Sequence, residues 1–173
     1  LGNILPDINN CYIVTNISKR IDHDTTHMGK FNETSYLNFY NKYKKEIAKN
    51  NPLFVGYLAH LYTDYSWNID FYKNFASLDI PKEERDKLRI MKQSDFKVYN
   101  NKFIENKIDI ENITIALEEI NKIDEVSITE KDILEVTDFL KNQKAYESEL
   151  QFYSMEKLDE LMIDTIKGCK DLL

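Results

Sequence analysis

The sequence is poor in residues that interrupt or cross-link a chain. It has only four glycines, three prolines and two cysteines among 173 residues. Because a many-stranded β protein needs frequent turns rich in glycine and proline, this scarcity disfavours that class. Cys11 and Cys169 lack metal-binding or redox spacing, so we expect two free thiols rather than a disulfide framework.

Long apolar runs and basic charge are also missing. No apolar run approaches the roughly 20 residues of a membrane-spanning helix, and no basic-then-apolar signal peptide opens the chain. Asp and Glu total 30 against 23 Lys and Arg, a net charge of −7, which disfavours binding to long nucleic acid. We expect a soluble protein of the bacterial cytoplasm. We also expect residues to precede Leu1, where any export signal would lie.

What the sequence does contain is apolar residues at three-to-four spacing. This pattern predicts an all-α single domain over residues 1–173, with an irregular segment up to about residue 30. The predicted helices run from Thr34 to the break at Asn50–Pro52, from Pro52 to about Ala76, from Pro81 to about Phe103, from Ile110 to Ile120, from a capping box at Ser127–Glu130 onward, and from Met155 to about Leu172.

The helix predicted from Pro52 carries the most informative pair of polar residues. Its first half is apolar on nearly all sides, which is typical of the centre of a bundle. His60 and Asp64 lie four residues apart, so on a helix they share one face about 6 Å apart. Leaving either unpaired would cost on the order of a few kcal/mol. A bound metal ion and a hydrogen-bonded core pair both satisfy them.

Two segments before this helix supply further candidate ligands. Asp7 ends a glycine- and proline-containing stretch in which the backbone can bend to aim a carboxylate inward, although an exposed turn aspartate has the same pattern. His27 lies in a polar segment that is otherwise explained as a solvated loop. Asp7, His27, His60 and Asp64 together form a nitrogen and oxygen set suited to Zn²⁺. The set has no thiolate, which favours a hydrolytic site if one coordination position stays open.

Three motifs carry a resemblance to a known family. They are Gly2-Asn-Ile-Leu-Pro-Asp7, Thr26-His27, and Gly56-Tyr-Leu-Ala-His60-Leu-Tyr-Thr-Asp64-Tyr-Ser-Trp67. In this order they resemble the zinc-dependent phospholipase C family, whose fold is shared with single-strand-specific zinc nucleases. The resemblance covers roughly the first half of the chain. It implies a multi-helix bundle around a metal centre that hydrolyses phosphodiester bonds of phospholipids or nucleotides.

The resemblance also implies roles for individual residues. Asp7, His27, His60 and Asp64 match the ligands of the family's best-defined zinc, and Asp7 is also a candidate general base. Members with three zincs use further histidines downstream, whereas this chain has no histidine after His60. One ion is the economical prediction. Asp70 and Asp95 fall near the later ligands and are candidates for a second metal.

The sequence therefore predicts a zinc-dependent phosphoric-ester hydrolase acting on a small phosphodiester or a phospholipid head group. Asp7 or Asp24 would accept a proton from the attacking water. His23 is a metal ligand, an orienter of His27 or a surface residue. The exposed pair Lys19 and Arg20 either binds an anionic phosphate or is simply solvated.

Two other functions remain open from the sequence. One is a non-catalytic helical domain that binds a metal ion without turnover. The other is a metal phosphohydrolase with an adjacent His-Asp pair, suggested by His23 and Asp24. Neither the substrate nor the oligomeric state is indicated by any motif.

Overall fold

A computed structural model of the protein describes residues 1–29, 35–75, 79–104 and 117–173. Within these ranges the regular secondary structure is entirely helical, with no strand, which confirms the predicted all-α class. A 3₁₀ helix over Gly2–Asp7 opens the chain. The α-helices that follow are α1 (His23–Thr26), α2 (Ser35–Ala48), α3 (Pro52–Phe75), α4 (Lys82–Ile104), α5 (Leu117–Ile120), α6 (Glu130–Lys141) and α7 (Met155–Leu172).

The helix boundaries follow the apolar periodicity closely. Helices α3, α4 and α7 begin within one residue of the predicted positions. Thr34 and Ala76, which were predicted helix ends, lie outside the described residues. The helix predicted over 110–120 is described only in its last turn, α5, and its earlier residues also lie outside.

The start of α6 differs from the predicted capping box. The N-cap is Thr129, whose hydroxyl accepts from the Asp132 amide while the Asp132 carboxylate accepts from the Thr129 amide. The N-cap therefore lies two residues after Ser127, whose backbone is bonded to Asn9. The Asn9 side chain donates to the Ser127 carbonyl and accepts from the Ser127 amide, both at 2.9 Å. A contact between residues far apart in sequence therefore overrides the local motif.

Helix α3 is central, as its apolar pattern predicts. It packs against the 3₁₀ helix, α2 and α7. Phe54, Tyr57 and Leu61 in its first half are fully buried. Its second half joins a separate apolar cluster with α4 and α7 that includes Trp67 and Tyr99. The aromatic residues of α3 that are buried, namely Phe54, Tyr57, Trp67 and Phe71, are core residues.

A close backbone contact joins the 3₁₀ helix to α3. A methyl group added at Gly56 would lie 2.9 Å from the Asn3 amide nitrogen and 3.0 Å from the Gly2 α-carbon. Gly2 is equally confined, because a methyl group there would collide with the Leu53 carbonyl oxygen. Two glycines therefore permit this approach, which brings the N-terminal segment beside His60.

Among the described residues, no helix combines the length and the apolar character needed to span a bilayer.

Candidate metal centre

Four side chains from three elements converge at the junction of the 3₁₀ helix, α1 and α3. Asp7 ends the 3₁₀ helix, His27 follows α1, and His60 and Asp64 project from one face of α3. The Nε2 atoms of His27 and His60 lie 3.2 Å apart. The Asp64 Oδ2 atom lies 3.3 Å from the first and 3.5 Å from the second. Asp7 completes the group, with Oδ1 at 3.6 Å from His27 Nε2 and Oδ2 at 3.7 Å from His60 Nε2.

Two overlapping sets of side chains at this junction have ligand atoms within 4.8 Å of one another, namely Asp7, His27 and His60, and His23, His27 and Asp64. The individual spacings suit a small divalent ion. Zinc binds imidazole nitrogen and carboxylate oxygen at about 2.0–2.2 Å, so the ligand atoms of a regular tetrahedron lie about 3.3–3.6 Å apart. The distances from the two Nε2 atoms to each other and to the carboxylate oxygens span 3.2 to 3.7 Å. The donor set of two imidazoles and two carboxylates also suits zinc. The residues present therefore fit the ion that the sequence predicts.

Both imidazoles are oriented by acceptors on their other ring nitrogen. His60 Nδ1 lies 2.8 Å from the Asn3 carbonyl oxygen. His27 Nδ1 lies 3.2 Å from the His23 carbonyl oxygen and 3.0 Å from the Thr26 hydroxyl. Because a carbonyl oxygen only accepts, each Nδ1 carries the proton and each Nε2 faces the centre. This is the arrangement by which proteins commonly orient metal-binding histidines.

The facing Nε2 atoms favour a positive charge between them, either a proton or a metal ion. A neutral imidazole has one N–H, so with Nδ1 protonated each Nε2 presents a lone pair. Two lone pairs 3.2 Å apart repel one another. A proton on one ring relieves that repulsion, and so does a metal ion. The two carboxylates carry two negative charges, which favours a divalent cation.

The electrostatic environment of the ionisable groups agrees with this need for positive charge. Burial lowers the pKa of His60, but Asp64 and Asp7 outweigh it and raise the pKa to about 9. Burial raises the pKa of Asp64, whereas His60 and His27 lower it well below its usual range. The centre therefore holds positive charge strongly at neutral pH.

The carboxylates differ in support and in exposure. Asp7 Oδ1 accepts a hydrogen bond from Asn10 Nδ2 at 2.8 Å, which fixes its position. The Asp7 side chain is 18% exposed, while the Asp64 side chain is 41% exposed. His27 is buried. The centre is therefore closed on the side of His27 and reaches solvent on the side of Asp64.

The short helix α1 holds His27 in position. Its N-cap is Asp22, which accepts from the Thr25 amide at 2.9 Å and from the Thr25 hydroxyl at 2.8 Å. The buried Tyr57 hydroxyl donates to the Thr26 carbonyl oxygen, which anchors the end of α1 to α3. Together these bonds hold the His27 ring against the centre.

His23 and Asp24 lie at the edge of this group. The His23 ring stacks on the His27 ring, with centroids 3.7 Å apart and planes 9° from parallel. One His23 ring nitrogen also lies within 4.8 Å of ligand atoms of His27 and Asp64. The Asp24 side chain is 59% exposed and lies 3.8 Å from His23 Nδ1. Among the described residues, Asp24 belongs neither to the set of Asp7, His27 and His60 nor to the set of His23, His27 and Asp64, whose ligand atoms lie within 4.8 Å of one another.

Asp70 and Asp95, the candidates for a second ion, have other partners. Asp95 is fully buried and accepts from the backbone amides of residues 151, 152 and 153 at 2.6–2.7 Å. Asp70 accepts from the Tyr153 hydroxyl at 3.1 Å and pairs with Lys157 at 3.2 Å. These contacts hold the segment before α7 in place, and they account for both carboxylates without an ion.

Several groups that shape the centre were not predicted from the sequence. They are the Asn3 carbonyl, the Asn10 amide and the Tyr57 hydroxyl. A backbone carbonyl has no residue signature, so no sequence pattern identifies Asn3. Asn10 lies three residues after Asp7, a spacing at which an amide can reach a carboxylate, and this was the one available signal.

Comparisons of the chain with protein-family models, with curated proteins and with solved structures find no match.

Proposed function

We propose that the protein is a zinc-dependent phosphoric-ester hydrolase that resembles phospholipase C, with a small phosphodiester or a phospholipid head group as substrate. The observation that carries this proposal is the convergence of Asp7, His27, His60 and Asp64 with both Nε2 atoms facing one point. The motifs of the first half of the chain support a bundle of the phospholipase C and zinc nuclease type.

The four residues would hold one ion, and a fifth coordination position would be taken by water. The ion would lower the pKa of that water toward roughly 7 and neutralise charge on a phosphate oxygen. Asp7 is held by Asn10 and takes the role of general base, accepting the proton of the attacking water. Asp64 lies on the exposed side, where a substrate reaches the centre. His23 covers the His27 ring and limits its motion.

The test combines metal analysis with turnover. The protein is purified without added ions, its zinc content is measured, and hydrolysis of bis(p-nitrophenyl) phosphate is followed. We expect one zinc per chain and measurable turnover. His60→Ala should lose both, because three ligands hold the ion less tightly than four. Asp64→Asn should weaken zinc binding by about 10-fold or more with little change in helix content.

Asp164→Asn is the matched control, because Asp164 lies on α7 with a side chain 76% exposed. It should keep zinc and activity. If His60→Ala keeps its zinc and folds normally, the proposed centre is wrong. If Asp64→Asn binds zinc as tightly as the parent protein, Asp64 is not a ligand.

A second candidate is a metal-binding domain without catalytic activity. The observation that favours it is the engagement of Asp70 and Asp95 by backbone and side-chain partners, which leaves the described residues with one centre instead of several. Stoichiometric zinc with no hydrolysis of any phosphodiester would establish this candidate over the enzyme.

A further inference from the structure

A cleft of about 430 Å³ adjoins the metal centre. Its lining residues are Asn10, Tyr12, Arg20, Ile21, Asp22 and His23. Two of these touch the proposed ligands directly, since Asn10 donates to Asp7 and the His23 ring stacks on His27. A molecule bound in the cleft therefore lies beside the centre.

Arg20 is the cation of this cleft, and its backbone is firmly held. The fully buried Asn9 donates from its side chain to the Lys19 carbonyl at 2.7 Å. The Asn9 carbonyl accepts from the Ile21 amide at 2.9 Å. Both neighbours of Arg20 are thus tied to a residue that lies two positions after Asp7. The backbone from which the guanidinium projects into the cleft is therefore fixed.

The guanidinium donors of Arg20 are available to a ligand. In the part of the chain that the structure describes, Arg20 makes neither an ion pair nor a hydrogen bond with another side chain. The carboxylate of Asp22, which also lines the cleft, does not pair with Arg20. Its two oxygens accept hydrogen bonds from the amide and the hydroxyl of Thr25. A planar guanidinium binds a carboxylate or phosphate through two parallel hydrogen bonds.

Tyr12 links the cleft to the centre. Its ring is 68% exposed, and its amide donates to the Asn10 side chain at 2.9 Å. The preceding residue, Cys11, has a φ of 67°, a left-handed conformation at the turn that leads into Tyr12, which lines the cleft. An exposed aromatic ring at this place offers a flat surface to the organic part of a ligand.

We infer that the cleft binds a second anionic group of the substrate through Arg20, so that the preferred substrates are phosphoric esters carrying a further carboxylate or phosphate. A phosphoryl group at the metal centre and an anion at Arg20 would then be held at the same time. A cationic head group such as choline would be disfavoured by the same guanidinium. This inference rests on the proposed function for the position of the phosphoryl group.

The test compares the binding of a phosphonate without a second anion with that of phosphonates that carry one. Zinc-loaded protein is titrated calorimetrically with propylphosphonate and with ω-phosphonocarboxylates of two to four methylene groups, which sample the span of the cleft. We expect the best acid to bind about 5-fold more tightly than propylphosphonate. Arg20→Gln should remove that advantage, and Arg20→Glu should make the acid bind more weakly than propylphosphonate.

Lys19→Gln is the matched control, because it removes the same charge from the adjacent exposed residue, which does not line the cleft. It should keep the preference. Zinc content is measured after each titration, so that loss of the ion to the ligand is recognised. Equal affinity for the acids and propylphosphonate, or a preference that survives Arg20→Gln, overturns the inference.

Measurements of hydrolysis test the proposed function separately from the anion site. An Arg20-dependent preference in a protein that hydrolyses no phosphodiester supports the anion site and refutes the hydrolase. Hydrolysis of ethyl p-nitrophenyl phosphate that equals hydrolysis of its 2-carboxyethyl analogue supports the hydrolase and refutes the anion site.

Discussion

At the scale of single residues, the orientation of the ligands depends on groups that sequence reasoning does not reach. The i, i+4 spacing and the resemblance together single out Asp7, His27, His60 and Asp64, and the structure places both carboxylates within 3.7 Å of the two histidine Nε2 atoms. Their use as metal ligands stays a prediction. The direction in which His60 faces is set by the Asn3 carbonyl, a main-chain atom that any residue would supply.

Lys92 shows a further limit of the sequence pattern. It is a charged residue in a charged helix, so periodicity does not predict its burial, yet it is only 3% exposed. Its amine donates to the Asn68 side-chain oxygen at 2.6 Å and lies 4.8 Å from the centre of the Phe71 ring. Burial lowers the pKa of Lys92 to about 8.

This buried amine predicts a pH dependence of stability. Between pH 8 and about 10.4, the ordinary lysine pKa, the unfolded chain binds more protons at Lys92 than the folded chain does. The cost of burying the charge is therefore fully present below pH 8 and is relieved as the pH rises. With a chelator present, the unfolding free energy of the parent protein relative to Lys92→Met should increase by about 1–2 kcal/mol between pH 7.5 and 10.

Urea denaturation at several pH values measures this difference, and the subtraction cancels the groups that both proteins share. A difference that is constant with pH would show that the amine keeps an ordinary pKa in the folded protein.

At the scale of helices, local patterns predict the boundaries of α3 and α7 but not the capping residue of α6. The continuous apolar character of α3 and the spacing in α7 were sufficient to give their boundaries. The start of α6 was predicted incorrectly, because Ser127 is bonded to Asn9, which lies 118 positions earlier. No local motif records such a contact. The capping residues can therefore be chosen only when the tertiary partners are known.

The contact between the 3₁₀ helix and α3 predicts an effect of Gly56→Ala on the metal centre. The added methyl group meets backbone atoms of Gly2 and Asn3, so the two elements must separate. Separation moves the Asn3 carbonyl away from His60. We expect a loss of about 1–3 kcal/mol in unfolding free energy and about a 10-fold or greater loss in zinc affinity.

Gly168→Ala is the comparison variant. Its methyl group would meet the Tyr62 side chain on the face between α3 and α7, not the N-terminal segment. It should reduce thermal stability without changing zinc affinity. Equal zinc affinity in Gly56→Ala and the parent protein would show that the close approach does not position His60.

At the scale of the whole molecule, the centre joins segments that are distant along the chain. Its ligands come from the 3₁₀ helix, the end of α1 and the middle of α3. The unfolded chain does not hold these residues together, so the proposed ion would bind the folded state in preference. The all-α class was predictable from spacing. The packing of the C-terminal half was not, because its helices carry no motif that specifies their partners.

Zinc should therefore raise the melting temperature. At a free concentration of 100 times the dissociation constant, binding contributes about 2.7 kcal/mol, which for a chain of this size is about 5–10 °C. Differential scanning calorimetry with zinc and then with excess chelator measures the shift. His60→Ala should show little or none, and a full shift in that variant would place the ion elsewhere.

The buried amide of Asn9 has a consequence for dissecting the protein. It bonds to Lys19 in the ligand-bearing half and twice to Ser127 in the other half. A truncated peptide ending after α3 would contain every ligand of the centre and would still lose both bonds to Ser127. Stripping partners from a buried amide costs about 1–3 kcal/mol for each group. A minimal metallopeptide cut from this protein would thus need a replacement for Asn9 before it could keep the geometry of its parent.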